Sequence, residues 1–278
     1  MLLAVAALVP LILRAADAPG AVANAEAPSS SAPETPKSSQ CGFCALAHET
    51  VHDARDVLTA PARWQRPEWR SAWRKAAIVA GVMALADRPI RDSAQERRSA
   101  ATDRLADTFE PFGERYAAAT LAGFWLAGRF GDHATAHAVA RDGLESEIIA
   151  AGLIVPALKF VTGRSRPRKN LGTSDFHPFN GGASFPSGHT AAAFALAATI
   201  AEHEDRAWIK GLAYGVASLV GYARIDHDAH FASDVTAGAF IGVGVAKRVA
   251  RLNRTGRGVV WAPTHDAQGW GIAFARPF

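Results

Sequence analysis

Three clusters of residues, in one order along the chain, have the types and spacing for chemistry on phosphate. They are Lys159 with Arg166-Pro167, then Pro186-Ser187-Gly188-His189, then Arg224, His230 and Asp234. Three cations, two histidines, a helix-opening Ser-Gly and a carboxylate at orienting distance are the parts that phosphoryl transfer through a histidine nucleophile requires. In the first cluster, Leu153 to Val161 reads as the apolar end of a helix with Gly163 as terminator. Pro167 disfavours the α region at Arg166, so an extended Arg166 can turn back toward Lys159. Taken alone, this stretch reads as a solvated basic loop, because Arg164, Arg168 and Lys169 crowd it.

In the second cluster, Ser187 is a natural N-cap for the Ala-rich segment Thr190 to Ala201. A helix start offers unpaired backbone N–H groups to an anion, and Gly188 puts no side chain in the way. His189, in the first turn, can donate a proton to a leaving-group oxygen. The same tetrapeptide equally describes an ordinary capped helix with a surface histidine. In the third cluster His230 and Asp234 are four apart. If the helix already begins at His230, they share a face, the carboxylate accepts the Nδ1 proton and Nε2 is free to attack phosphorus. Alternatively Asp234 caps the helix of Val235 to Ala246 and reaches back to His230 through the turn.

The clusters together resemble the superfamily that joins type 2 phosphatidic acid phosphatases, bacterial class A acid phosphatases and vanadium haloperoxidases. That pattern is Lys, six residues, Arg-Pro; then Pro-Ser-Gly-His; then Ser-Arg, five residues, His, three residues, Asp. The chain follows it from Lys159 to Asp234 except that Ala223 stands in place of the serine. The resemblance implies an all-α helical bundle over about residues 45–255. It also implies that His230 forms a phosphohistidine, that Asp234 orients it, and that His189 protonates the leaving alkoxide and later activates water. Lys159, Arg166 and Arg224, with Ser187 and the Gly188 N–H, would hold the non-bridging oxygens. No metal or other cofactor is expected, and vanadate would occupy the site as an inhibitor. Asp226, His227 and Asp228 have metal-ligand types, but a solvated acidic loop beside the pocket accounts for them.

The elements that must position these groups are apolar segments at Ala76 to Ala86, Tyr116 to Gly128, Ile148 to Leu158, Thr190 to Ala201, Gly211 to Ala223 and Val235 to Ala246. Each is 11 to 13 residues long, short of the ~20 of a membrane span. Ala237-Gly238-Ala239 and Gly242-Val243-Gly244 read as close helix packing. Trp64, Trp69 and Trp73 alternate with Arg63, Arg66, Arg70 and Arg74. That segment reads as an amphipathic helix packed on the bundle, with a membrane-surface contact as the rival. The tail, residues 256–278, has two β-prone runs around a polar turn, a terminal hairpin.

The chain of 278 residues is 49% hydrophobic with net charge +4, enough for one substantial core and suited to an anionic substrate. No basic tract or zinc-finger spacing supports a nucleic-acid partner. Residues 1–25 resemble a secretory leader without a basic start, and residues 26–44 a linker, so export to the periplasm is expected. Cys41 and Cys44 then read as a local disulfide. The reading is an exported, metal-independent acid phosphatase acting on a phosphorylated small molecule. Its alternative is a membrane-surface lipid phosphatase on phosphatidic acid or a polyprenyl pyrophosphate. A vanadium haloperoxidase and an inactive anion-binding protein rank below both.

Overall fold

The computed structural model describes residues 42–131, 133–254, 260–266 and 269–275. The leader and Cys41 lie outside these residues, and with them the expected disulfide. The described chain is helical except for its end: α1 Gly42–Thr59, α2 Arg66–Leu85, α3 Asp87–Glu96, α4 Ala100–Phe109, α5 Arg115–Gly131, α6 Ala134–Glu147, α7 Val155–Thr162, α8 Gly188–His203, α9 Ala207–Asp226 and α10 Ala232–Arg254. A π-helical turn, Ile148–Ile154, joins α6 to α7. The expected hairpin is present as β1 Val260–Asp266 and β2 Gly269–Ala275, antiparallel with Val260 opposite Ala275.

The helices run longer than the apolar segments that signalled them. An apolar run marks the stretch a helix buries, while its polar ends continue the same hydrogen-bond ladder into solvent. Several polar helices, among them α3 and α4, had no apolar signal. Even at full length, no described helix is long and apolar enough to cross a membrane.

The centre of the bundle is α8, packed chiefly on α10 and α9 and also on α6. From Thr190 to Ile200 it is buried at every position but Phe194, mostly as alanine. Alanine removes little area from water, so this core gains by close backbone approach rather than by bulk. Gly238 and Gly242 of α10 provide that approach: a Cβ at Gly238 would lie 2.5 Å from Ser187 O, and one at Gly242 would strike Ala191 O. The small-residue stripe is therefore a packing device. Larger side chains, Leu121, Phe124, Val139, Leu196, Ile200 and Ile209, fill a second cluster between α5, α6, α8 and α9. Buried Asp142 of α6 accepts from Asn253 of α10 at 2.8 Å and pairs with His203 of α8 at 2.7 Å. That clamp holds the end of the bundle opposite the α8 N-terminus.

The α2 segment departs from expectation, having no buried residue. Trp69 and Trp73 are 41% and 68% exposed, and Trp64, Trp69 and Trp73 touch one another in series. The tryptophan face is stacked on itself and turned outward, because α10 meets α2 elsewhere, as where Lys75 lies over Phe240.

Candidate active site

All three clusters converge at the α8 N-terminus. Gly163 ends α7 with φ +62°, and a Cβ there would strike the His177 carbonyl, so glycine both stops the helix and lets the following loop fold back. Arg166 is extended, as Pro167 requires. Thr162 Oγ1 donates to Phe185 O at 3.1 Å, tying the end of α7 to the Pro-Ser-Gly-His segment. Ser187 caps α8, accepting from Thr190 Oγ1 at 2.9 Å, and its N–H donates to Asp234 O at 3.0 Å. The starts of α8 and α10 are thus joined by backbone.

His230 precedes α10 and is outside any helix, its N–H donating to Arg224 O at 3.1 Å. The shared-helix-face geometry is therefore not the one adopted; Asp234 lies in the first turn of α10 and faces back toward the histidine. His230 Nδ1 is 3.6 Å from Asp234 Oδ2, an electrostatic contact longer than a hydrogen bond. Burial pushes the imidazole down to about 4 against the pull of Asp234, so it is neutral near pH 7 with a nitrogen lone pair to offer. Burial alone would raise the Asp234 carboxyl, but His230, Arg164 and Ser184 outweigh it and hold it below the usual carboxylate range.

Lys159, Arg166 and Arg224 are part-buried to buried, and burial pushes each of them below its ordinary value. Arg166 pushes Lys159 further down, both act on His189, and Lys159 and Arg224 act on His230. Cations gathered around these two histidines suit a pocket whose ligand is an anion. Two of their donors, Arg166 Nε and Arg224 Nε, are buried without a hydrogen-bond partner. His189 is partly open at the rim, with Nε2 3.4 Å from Glu114 Oε2, and burial pushes it down as well. Gly188 would meet only Val155 if it bore a Cβ, at 3.6 Å. Ala223 is fully buried in α9.

Four residues at this site escaped the sequence reading. Arg164, in a stretch whose composition reads as a solvated loop, is fully buried and reaches Asp234 at 2.6 Å, Asp87 at 2.7 Å and Ser233 Oγ at 2.7 Å. Ser184 Oγ donates to Asp234 Oδ2 at 2.6 Å. Asp87, at the start of α3, accepts from Ser233 N at 2.8 Å. Glu110, in a short 3₁₀ turn after α4, pairs closely with Arg224 Nη1 and at 2.7 Å with His227 Nδ1. Only long-range pairing distinguishes these residues from surface charges, and no local pattern marks them.

The loop read as acidic and solvated is neither open nor uniform. Asp226 is 1% exposed, and Asp228 forms a two-point ion pair with Arg91 of α3 at 2.6 and 2.7 Å. The α3 and α4 helices, silent in apolar pattern, cover it.

Residues 146–257 match the model of the PAP2 superfamily. That segment carries all three motifs, from Lys159 to Asp234. Among curated proteins, the lipid A 1-phosphatase of Porphyromonas gingivalis is 39% identical over 94 residues, 33% of this chain and 19% of that protein. The chain thus spans about a fifth of that relative's length. Among solved structures, LpxE of Aquifex aeolicus aligns with TM-score 0.47 and 26% identity, over 59% of this chain and 94% of that one. A transmembrane PAP2-type phosphatidylglycerolphosphate phosphatase of Bacillus subtilis aligns with TM-score 0.49 and 16% identity, over 66% and 94%.

Proposed function

We propose that this protein is a metal-independent phosphatase that works through a phosphohistidine, and that its substrate is a phosphorylated lipid met at a membrane surface. The observation that carries the chemistry is the neutral, buried His230 beside Asp234, among three cations at the α8 N-terminus. His230 Nε2 attacks phosphorus as the ester P–O bond breaks, and His189 gives its proton to the departing alkoxide. His189 then takes a proton from water, whose oxygen attacks the phosphohistidine, releasing phosphate and restoring His230. Asp234 stabilises the imidazole as positive charge develops on it. Lys159, Arg166, Arg224 and the Gly188 N–H hold the three non-bridging oxygens and oppose their charge in the transition state.

Support for a lipid over a soluble phosphoester comes from the surface. Phe160, the residue after Lys159, is 54% exposed and packs edge-on against Phe179, itself 64% exposed; Val161, next along the helix, is exposed as well. Apolar side chains next to a phosphate pocket suit the acyl chains of a lipid, and the outward tryptophans of α2, interleaved with arginines, suit an anionic headgroup layer. The curated relative's name points the same way. The deciding experiment compares phosphatidic acid in mixed micelles with p-nitrophenyl phosphate, in EDTA, for wild type and His230→Ala. We expect turnover in EDTA, blocked by vanadate, at least ~10³-fold lower in the variant, and faster on the lipid. Preference for the soluble ester would restore the acid-phosphatase reading, and residual full activity in His230→Ala would overturn the mechanism.

A further inference from the structure

His227 is the meeting point of two groups of potential ligands outside the catalytic residues. Asp103 and Asp226 each bring a carboxylate oxygen within 4.8 Å of it and of each other, and so do Asp107 and Glu110. Asp103, Asp107 and Glu110 recur at three- and four-residue intervals, one face of α4 and its 3₁₀ continuation. Asp226 and His227 come from the end of α9. Asp226 Oδ1 accepts from the Tyr222 hydroxyl at 3.1 Å, but its Oδ2, on a residue 1% exposed, has no hydrogen-bond partner. A buried, unpartnered carboxylate oxygen is costly unless a cation completes it. The arginines paired with this group are Arg98, on Asp103, and Arg224, on Glu110. Around His227 the four carboxylates outnumber these two guanidinium groups by two, an excess of one negative charge in each group. Asp107, 71% exposed, keeps the group open to solvent.

We infer that this cluster is a site for one divalent cation of the first transition series, and that the cation controls access of phosphate to Arg224. An imidazole among carboxylates favours such ions over magnesium or calcium. Glu110 is the link: one oxygen holds Arg224 and the other lies 2.7 Å from His227. Without a cation, Glu110 occupies the guanidinium that a substrate phosphate needs. A cation at His227 competes for the Glu110 carboxylate and frees Arg224. The ion takes no part in the chemistry, so turnover persists in EDTA while phosphate affinity falls. The coupling rests on the phosphatase reading; the ion site does not.

The test uses the full chain stripped with EDTA, titrated with Mn²⁺ and followed by the electron paramagnetic resonance of the free ion. One bound equivalent is expected, weakened about tenfold or more in Asp107→Asn, Asp103→Asn and His227→Gln. The two aspartate positions are partly exposed and should fold normally, which circular dichroism checks. Micromolar vanadate should then bind several-fold tighter with Mn²⁺ present, and Glu110→Gln should bind it that tightly without Mn²⁺. No bound Mn²⁺ in folded protein, or binding indifferent to these substitutions, overturns the site. Bound Mn²⁺ with unchanged vanadate affinity overturns the coupling. Bound Mn²⁺ with no vanadate binding under any condition keeps the ion site and instead defeats the phosphatase reading.

Discussion

Arg164 holds two carboxylates at once, Asp87 at 2.7 Å and Asp234 at 2.6 Å, with all three side chains fully buried. Its planar fork spans both, which a lysine cannot do. Removing it leaves two buried anions with no cation between them, a loss of about 3–5 kcal/mol for a broken buried pair. Arg164→Met should therefore lower the urea midpoint strongly. Arg164→Lys should recover part of the stability, yet leave kcat depressed because Asp234 is no longer held toward His230. A variant with wild-type stability and kcat would show that Arg164 is a bystander. In the sequence this residue was one basic residue among four, and no local rule separates it from Arg168, which is exposed.

At the scale of elements, the α8–α10 contact decides both stability and the placement of the phosphate-binding turn. Gly242 faces the Ala191 carbonyl in mid-helix, whereas Gly238 faces Ser187 O, the cap residue itself. Both need glycine because backbone, which cannot swing aside, is what a Cβ would meet. Gly242→Ala should cost about 1–3 kcal/mol by overpacking, read as a lower thermal midpoint, with kcat largely kept. Gly238→Ala should cost a similar amount and also lower kcat, because it displaces Ser187 and Gly188. Equal effects on kcat from both substitutions would show that the turn is not positioned through this contact. The stripe of small residues was legible as packing from composition alone; which glycine touches the site was not.

For the whole molecule, the two histidines set opposite limbs of a pH profile. His230 must be neutral to attack, so kcat/KM should rise as pH passes about 4. His189 must be protonated to assist the leaving group; burial first, then Lys159 and Arg166, hold it below the usual 6.5, with Glu114 opposing them. Activity on alkyl phosphates should therefore fall with rising pH through a value below 6.5, giving an acidic optimum. Glu114→Gln removes the group that favours the protonated form, so the falling limb should move to lower pH while the rising limb stays. A falling limb above the ordinary histidine range, or one indifferent to Glu114, would remove His189 from the acid role.

By itself the sequence determined the helical class, the terminal hairpin, the order of the three motifs and the residues that could act on phosphate. These features depend on local rules: periodicity, capping at Ser187, termination at Gly163 and the backbone bias that Pro167 imposes. Only the tertiary structure decided what those residues meet. It buried Arg164 between two carboxylates, set Glu110 on Arg224, closed α3 and α4 over the Asp226 to Asp228 loop and left the α2 tryptophans outward. The reason is physical. A charge signals its type in the sequence, but its partner and its distance from water depend on residues many positions away, and those set whether it is solvated, paired or poised for chemistry.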